Sequence, residues 1–291
     1  MSENFTFDYN EAFSRNIGWI TEQEQGILKS KRIAIAGMGG VGGSHLLTLT
    51  RLGVGNFNIA DFDKFELANF NRQAGSSVPH INQEKALTME KLAHGINPGL
   101  DIKRFDQGVT VDNLDEFLEG VDLYIDGLDF FVLDIRQKVF ARCYELGIPA
   151  ITAAPLGMGT ALITFLPGKM SFEEYFRLKG HTPMDQQIRF LIGLSPAFLH
   201  QPYLVDKSRV NFADKKGPST PMACELCAGA TATEALKILL KRGKVQCAPW
   251  GYQFDAFRNK FKKTWRPWGN DNIIQKIAFY IACKLILGKK K

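Results

Sequence analysis

The sequence predicts an α/β protein with a Rossmann-like, doubly wound and mostly parallel sheet, antiparallel strands towards the C-terminus, and an inserted segment of loops and helices. Three short apolar runs carry this prediction, at residues 33–36, 57–60 and 123–125. Strands of a parallel sheet are buried on both faces and therefore read as continuous apolar runs. Two of the runs end in an aspartate, Asp61 and Asp126. Open α/β sheets bind their ligands at the carboxyl ends of such strands.

Length and composition allow one large α/β domain or two small ones, because 291 residues with 45% hydrophobic content can bury a sizeable core. We expect an N-terminal arm and helix over residues 1–30 and a nucleotide-binding domain over residues 31–291. The net charge is +6, and the excess falls in the C-terminal third. That excess would suit a nucleic acid, an anionic membrane or an acidic partner, or would keep an ordinary surface solvated.

Cysteine usage indicates the compartment. The five cysteines are odd in number and have no regular framework, which favours a reducing environment. The N-terminus has no apolar signal region. We therefore expect a cytoplasmic protein.

The first element is a helix that begins after Thr21, because Thr21 and Glu24 have the spacing of a capping box. The segment FSRNIGWI precedes it and contains Arg15. We interpret this segment as part of an N-terminal arm.

The first apolar run opens into a glycine turn that predicts a nucleotide site. Its tight G-x-G-x-x-G spacing would let the backbone approach a phosphate, and the helix predicted at 44–52 would hold anionic oxygens at its N-terminus. Asp61 follows where such units place a carboxylate for ribose hydroxyls. The nucleotide-binding candidates in this stretch are Gly37, Gly39, Gly40, Gly42, Asp61 and Asp63. The glycines alone are common to NAD, FAD and ATP proteins.

Three polar residues downstream favour ATP. Asn69, Arg72 and Lys85 add an amide and two cations to the same strand end, more positive charge than the pyrophosphate of a dinucleotide needs. Lys85 falls in the first turn of a helix predicted at 83–96, where the helix dipole favours negative charge. An anion beside Lys85 would explain its position.

The third run ends in D-x-x-D, at Asp126 and Asp129. Mg²⁺ is usually held by one or two carboxylates and the phosphates of a substrate, which suits this position. Asp126 is open to a second interpretation, as a cap for the helix predicted at 132–146. Beyond that helix, residues 149–168 predict a strand, a glycine turn and an antiparallel strand.

These residues resemble the ThiF/MoeB/HesA family, the bacterial relatives of ubiquitin-activating enzymes. The resemblance is specific in GMGGVGG, in DFDKFELANFNRQ, in the lysine of QEKALTMEKLAHGINP and in YIDGLDFF. It implies an adenylyltransferase that uses Mg²⁺ and ATP to activate a carboxylate as acyl-AMP. The carboxylate is often the C-terminus of a ubiquitin-like protein. Two alternatives stay open: an NAD(P)-dependent oxidoreductase, and a non-catalytic nucleotide-binding subunit.

The resemblance also implies roles for single residues. Asp61 would hold the ribose; Asn69, Arg72 and Lys85 the phosphates; and Asp129 the Mg²⁺ ion. Arg15 would reach across a homodimer interface to the neighbouring subunit's ATP. The implied catalytic residues are Arg15, Arg72, Lys85 and Asp129. One departure is Phe130, where the family commonly has asparagine, and another is the later position of Arg136, whose role the resemblance leaves undecided.

The second half of the chain carries fewer signals. Residues 168–222 correspond to the family's crossover insertion, which covers the acceptor's tail and sometimes carries a thioester cysteine; here it contains no cysteine. Cys224 and Cys227 form a single C-x-x-C where many relatives bind zinc with two such pairs. We expect them to pack in a buried helix, with a redox pair as the alternative.

The C-terminus predicts a helix at 231–240, an amphipathic rim strand within 250–265, and a basic helix within 270–291. The aromatic and basic residues of the strand would also suit stacked nucleobases. One stripe of the last helix is apolar, at Ile273, Ile277, Ile281 and Leu285. That stripe would pack on its own domain, or would dock on a membrane surface or a partner.

The sequence leaves the acceptor open. A ubiquitin-like protein, a peptide, a small carboxylate metabolite and a modified tRNA base all remain candidates.

Overall fold

A computed structural model describes residues 6–212, 214–215 and 217–287 of the chain. Eight strands form one sheet: β1 Arg32–Ala36, β2 Asn56–Ala60, β3 Asp101–Phe105, β4 Leu123–Asp126, β5 Ala150–Leu156, β6 Gly159–Phe165, β7 Trp250–Asp255 and β8 Lys260–Trp265. The helices are α1 Tyr9–Ala12, α2 Glu22–Ser30, α3 Gly40–Arg51, α4 Lys85–His94, α5 Leu114–Phe117, α6 Leu133–Leu146, α7 Phe172–Phe176, α8 Pro183–Leu194, α9 Pro221–Leu239 and α10 Ile273–Leu287.

The strand order is β3-β2-β1-β4-β5-β6-β7-β8. The first five strands in this order are parallel to one another, and β6, β7 and β8 continue the sheet antiparallel. The order changes direction between β1 and β4, so the loops that follow these two strands flank the crevice in which open α/β sheets bind ligands. The predicted fold class is confirmed.

The hydrophobic core lies on both faces of the sheet. Side chains of β1 alternate between the faces: Ile33 and Ile35 belong to a cluster with α3, α4 and α9, whereas Ala34 and Ala36 belong to a cluster with α5, α6 and α8. Helices therefore cover the sheet on each side, as in other doubly wound folds.

One strand was missed in the sequence. Strand β3 lies at the edge of the sheet and pairs with β2 alone. Its residues, DIKRF, are exposed or half-buried, so they form no continuous apolar run. Edge strands lack the two-sided burial that makes a parallel strand recognisable.

Three boundaries differ from the predictions. Helix α3 begins at Gly40, inside the glycine run, and α9 begins at Pro221, ten residues before the predicted start. The predicted rim strand is a hairpin of β7 and β8, joined by a turn at 256–259. Phe257 lies in this turn and belongs to neither strand.

The N-terminal arm folds back on α3. The capping box at Thr21 and Glu24 is confirmed. The Tyr9 hydroxyl donates to the Gly53 carbonyl oxygen at 2.5 Å, and the Asn16 amide donates to the Leu52 carbonyl oxygen at 3.3 Å. These bonds hold the arm at the C-terminal end of α3, away from the glycine turn.

The inserted segment contributes to the domain core through α7 and α8, whose side chains Phe176 and Phe190 join the cluster beneath α6. Helix α10 packs on α8. The helix therefore packs on its own domain, as one interpretation predicted, but its predicted stripe is exposed at Ile273, Ile277 and Ile281 and does not form that contact. The side chain of Leu285 and the lysines at 289–291 lie outside the described residues. Across the ranges that are described, no helix has both the length and the hydropathy to cross a bilayer.

Candidate active site

The glycine turn after β1 depends on backbone approach that no side chain would permit. Gly37 has φ +90°, in the left-handed region, and its N–H donates to the Ala60 carbonyl oxygen at 2.7 Å. A Cβ on Gly42 would collide with the Gly37 carbonyl oxygen, and a Cβ on Gly37 would collide with the Gly127 carbonyl oxygen. The turn after β1 and the loop after β4 therefore touch through glycine backbone.

The N-terminus of α3 opens at this turn. Its N-cap residue is Gly39, and no side chain of the described ranges caps the helix. The first amides of a helix lack partners within the helix and carry the positive end of its dipole. A twelve-residue helix that begins inside a glycine turn thus offers backbone donors to an anionic group.

Asp61 closes the turn from the end of β2. Its Oδ2 accepts from the Met38 N–H at 2.6 Å, and its Oδ1 accepts from the Asp63 N–H at 2.8 Å. Burial raises the pKa of Asp61, against the lowering effect of these two hydrogen bonds and of the nearby Lys85 charge. The carboxylate is therefore fixed by backbone on the rim of the turn.

Lys85 is connected to Asp61 through Asp63. The Lys85 Nζ lies 3.0 Å from Asp63 Oδ2, and the Lys85 N–H donates to the Asp63 carbonyl oxygen at 2.9 Å. The Lys85 side chain is only 8% exposed, although Asp63 is more than half exposed. A buried ammonium held by one accessible carboxylate leaves donors available to a second anion.

Arg72 lies against the other side of the glycine turn. A Cβ on Gly40 would lie 3.6 Å from the Arg72 Cγ. The guanidinium is held locally, since its Nη1 donates to the Ala68 carbonyl oxygen at 3.1 Å and to Asn71 Oδ1 at 2.9 Å. Asn69 shapes the same turn: its Oδ1 accepts from the Glu66 N–H at 3.0 Å.

Asp126, the first carboxylate after β4, is a buried ion-pair partner. Its Oδ2 accepts from Arg136 Nε at 2.8 Å and from the Thr152 hydroxyl at 2.8 Å, and both Asp126 and Arg136 are about 2% exposed. The interpretation of Asp126 as a helix cap is wrong, because the N-cap of α6 is Val132. Its burial also removes Asp126 from the candidate metal ligands.

Arg136 organises the loop between β4 and α6. Its Nη2 donates to the carbonyl oxygens of Leu128 at 2.7 Å and Asp129 at 3.0 Å, and its Nη1 donates to those of Phe130 at 3.3 Å and Val132 at 3.0 Å. One guanidinium therefore fixes four carbonyl groups and, through them, the position of Asp129.

Asp129 is exposed at the tip of this loop. Its Oδ1 accepts from the Phe131 N–H at 2.9 Å. In the described part of the chain, no three His, Cys, Asp or Glu side chains cluster in a way that could hold a metal ion. A divalent cation at Asp129 would therefore take its other oxygen ligands from a bound phosphate and from water.

The ring of Phe130 joins the loop to the inserted segment, since its centroid lies 6.2 Å from that of Phe212 and 5.3 Å from that of Phe190. An aromatic wall consequently stands beside Asp129. The departure from the family pattern at this position thus has a packing role.

Arg15 is the candidate that the fold does not bring to the turn of its own chain. It is exposed in a short turn, Ser14–Asn16, next to the C-terminal end of α3. The glycine turn is at the other end, about 18 Å away along a twelve-residue helix that rises 1.5 Å per residue.

Cys224 and Cys227 both lie in α9 and are buried, in agreement with the packing interpretation. The Sγ of Cys227 lies 3.1 Å from the Thr160 hydroxyl oxygen, and a Cβ on Gly40 would lie 3.1 Å from the Cys224 Sγ. Burial raises the pKa of both thiols. Thiols of this kind are poor nucleophiles at neutral pH.

Two residues that build the site were not assigned from the sequence: Gly127 was missed, and Arg136 was named with its role undecided. Gly127 follows the strand-end aspartate directly, and its backbone contacts Gly37. Arg136 lies ten residues after Asp126, on the helix face that turns back towards the strand end. A search for a buried cation to pair with Asp126 would have found it.

Comparison with known proteins gives consistent matches. The sequence matches the ThiF family over residues 13–271. "Protein HesA, vegetative" of Trichormus variabilis is 30% identical over 168 residues, 57% of this chain and 62% of that protein. The sulfur carrier protein ThiS adenylyltransferase of Escherichia coli is 30% identical over 140 residues, 48% of this chain and 55% of that protein. The chain thus spans less than two thirds of the length of these two relatives.

Among solved structures, E. coli MccB in complex with ATP aligns with a TM-score of 0.61 at 18% identity, over 83% of this chain and 65% of MccB. This likeness shows that the two proteins share a fold.

Proposed function

The chain belongs to the ThiF family, and on that premise we propose that it is an ATP-dependent adenylyltransferase that activates a carboxylate. One observation carries the proposal. Arg72 on one side of the glycine turn, and Lys85 with Asp63 and Asp61 on the other, border the uncapped N-terminus of α3. This grouping supports a polyphosphate site next to a carboxylate suited to ribose hydroxyls.

The proposed reaction needs no acid or base. A carboxylate oxygen of the acceptor attacks the α-phosphorus of ATP, and the bond from that phosphorus to the oxygen bridging to the β-phosphate breaks. Acyl-AMP and pyrophosphate result. Because a carboxylate is already ionised at neutral pH, catalysis consists of alignment and of neutralising the phosphate charge as it develops.

In the proposed roles, the backbone of the glycine turn and the N-terminus of α3 hold phosphate oxygens, and Asp61 holds the ribose. Arg72 and Lys85 neutralise phosphate charge, with Asp63 orienting Lys85. Asn69 has its side-chain oxygen committed to the Glu66 N–H, so its amide nitrogen is the group left to donate to a phosphate.

Asp129 fits Mg²⁺ as a single exposed carboxylate beside the proposed phosphate site. Magnesium bound there would neutralise phosphate charge and act as a Lewis acid. Arg136 is a positioning residue for Asp129, since it holds the carbonyl oxygen of that residue at 3.0 Å.

We also propose a homodimer in which Arg15 acts in trans. The position of the arm at the far end of α3 supports this, because Arg15 cannot serve the glycine turn of its own chain without leaving its docked position. A neighbouring subunit that presents the same arm would supply the arginine.

The proposed acceptor is a carboxylate on a small carrier protein, a peptide or a small molecule. The relative named sulfur carrier protein ThiS adenylyltransferase supports a carrier protein as the acceptor. The structure of E. coli MccB with MccA supports an acceptor other than a sulfur carrier. The aromatic wall of Phe130 and Phe212 beside Asp129 favours an acceptor with an apolar group near its carboxylate.

The test is exchange of labelled pyrophosphate into ATP, run with a panel of acceptors: a ubiquitin-like protein ending in diglycine, peptides, and small carboxylates. We expect Arg72→Ala and Asp129→Ala each to slow exchange by about 10²- to 10³-fold, as for other preorganised electrostatic groups. Lys169→Ala and Glu145→Ala are matched controls, because both side chains are exposed and lie after β6 and before β5, at the edge of the sheet opposite to the turn.

Exchange that survives Arg72→Ala and Asp129→Ala unchanged would refute the proposal. Binding of ATP without exchange, for every acceptor, would instead indicate the non-catalytic subunit. Saturable binding of NADH without binding of ATP would indicate the oxidoreductase.

A further inference from the structure

Helix α10 presents its apolar face to solvent. Five bulky side chains lie on one side of it and are half exposed or more: Ile273 68%, Ile274 54%, Ile277 55%, Tyr280 60% and Ile281 51%. They recur at the three- and four-residue spacing of a single helical face. We call this set the α10 stripe.

The opposite face docks on the domain and includes one buried polar side chain. Gln275 is 1% exposed, and its amide nitrogen donates to the Ile192 carbonyl oxygen at 2.9 Å while its oxygen accepts from Arg266 Nε at 3.1 Å. Arg189 lies over the ring of Phe279 at 4.8 Å. Polar contacts thus help to anchor the helix, while bulky apolar side chains that usually face the core of a protein face solvent. An exposed apolar stripe of this size marks an interaction surface.

The segment of the chain that carries the stripe is mostly basic. Residues 260–291 contain nine lysines and arginines and a single acidic residue, Asp271. Asp271 pairs with Arg177 at 2.9 Å, and Lys276 lies 3.8 Å from its other carboxylate oxygen. Lys276 and Lys284 are exposed on the stripe side of the helix, and three more lysines end the chain at 289–291.

The positive charge indicates which kind of partner would bind the α10 stripe. A second copy would bring lysine against lysine, because a two-fold contact pairs the same surface with itself. An anionic lipid surface would accept both the apolar side chains and the lysines, whose stems can follow the stripe while their charges reach the headgroups. Trp268, 67% exposed just before the helix, is of the residue type that settles at such interfaces.

We propose that the α10 stripe binds this protein to anionic membrane surfaces, with the helix lying in the interfacial plane. Fifteen residues of helix are about 22 Å long, too short to span a bilayer and sufficient to lie along one. The inference does not depend on the proposed catalytic activity. Membrane binding and pyrophosphate exchange are separate assays, so either can fail alone.

The experiment is co-sedimentation of the full chain with vesicles of phosphatidylcholine alone and with 30% phosphatidylglycerol. We expect binding only to the anionic vesicles, weakened as salt rises. Ile277→Asp with Ile281→Asp should reduce partitioning at least about tenfold, because each change removes buried apolar contact and adds repulsion. Lys276→Gln with Lys284→Gln should reduce it by roughly fivefold per lysine.

The matched controls make the same kinds of substitution at exposed residues outside the α10 stripe. Val205→Asp puts the same acid on a fully exposed apolar residue elsewhere, and Lys169→Gln with Lys244→Gln removes two exposed lysines elsewhere. Both controls should bind as the unaltered protein does. Thermal melting of all variants checks that the fold is retained, since none of the altered side chains is buried.

No sedimentation with anionic vesicles, or sedimentation that the stripe variants leave unchanged, would overturn the proposal. So would a change of oligomeric state in the Ile277→Asp, Ile281→Asp protein without any vesicle binding in the unaltered one. That result would assign the stripe to contact between copies.

Discussion

The two loops that meet at the candidate site are built in opposite ways. The turn after β1 is shaped by absent side chains: Gly37 and Gly42 approach so closely that a Cβ would meet backbone. The loop after β4 is shaped by one side chain, Arg136, which reaches four carbonyl groups and Asp126. The first loop therefore has no room for an added Cβ, whereas the second loop depends on the complete side chain of Arg136.

The largest expected effect comes from adding one methyl group to the first loop. Gly42→Ala should lower the free energy of unfolding by more than about 4 kcal/mol, because the Gly37 carbonyl oxygen is backbone and cannot rotate away. Urea denaturation measures this. Gly26→Ala in α2 is the matched control, since open space surrounds that glycine and alanine should stabilise the helix by about 1 kcal/mol. Equal effects at both positions would contradict the crowding.

Removing the arginine side chain that holds the second loop should lower the free energy of unfolding slightly less. Arg136→Ala should destabilise by about 3–4 kcal/mol, because it leaves the Asp126 carboxylate buried without its cation. Arg142→Ala, on the same helix but paired on the surface, should change the urea midpoint little. A small effect of Arg136→Ala would mean that the loop holds its shape without the guanidinium.

Lowering the pH should destabilise the protein next to the first loop, through protonation of His45. This residue lies in α3 behind the turn, is fully buried, and has its pKa lowered by burial from 6.5 to about 3. Within the described residues, neither ring nitrogen has a hydrogen-bond partner. Between pH 6.5 and 3 the unfolded chain binds the extra proton, so stability falls as pH falls through this window.

The expected loss through His45 at pH 4.5 is on the order of 2–3 kcal/mol relative to pH 7. Urea midpoints across pH 4–7 would reveal it as a slope. His45→Leu should flatten that slope, while His181→Gln, on an exposed residue, should leave it in place. An unchanged slope in His45→Leu would exclude this histidine as its source.

The smallest expected loss of stability comes from removing the Thr152 hydroxyl, the second side-chain partner of Asp126. Thr152→Val keeps the shape and removes one hydroxyl that donates to the carboxylate, with an expected cost of about 1–2 kcal/mol in urea denaturation. Thr164→Val is the matched control, because the buried Thr164 hydroxyl has no partner among the described residues. That change should be neutral or stabilising, and a cost equal to that of Thr152→Val would argue against the hydrogen bond.

The same contrast explains what the sequence could predict. The glycine turn was readable because its requirement is local: residues 33–42 carry the apolar run and the spacing together. The role of Arg136 could not be predicted from the sequence, because it depends on how α6 packs against the end of β4. The sequence showed Phe130 only as a departure from the family pattern. Its packing role could not be predicted, because Phe212, which it contacts, is far away in the chain.

The fold shows a similar division. Buried strands such as β1 and β4 were predicted from their apolar runs, whereas β3 was missed because an edge strand has one neighbour and mixed polarity. The start of α9 was missed because glycine, alanine and cysteine at 223–230 have weak periodicity. In α10 the helix itself was predicted correctly, but periodicity cannot say whether an apolar stripe faces the core or the solvent.

The far edge of the sheet limits how molecules of this protein can combine. Within the described residues, strand β8 lies at the edge of the sheet and pairs with β7, and its exposed side chains include Lys260 and Lys262 on one face and Lys263 on the other. Unpaired backbone at a sheet edge is a template for cross-molecular strand addition and, ultimately, for amyloid-like stacking. A cationic fringe opposes that growth, because an identical edge would arrive with the same charges. Crowded solutions of this protein should therefore resist aggregation by continuous sheet formation.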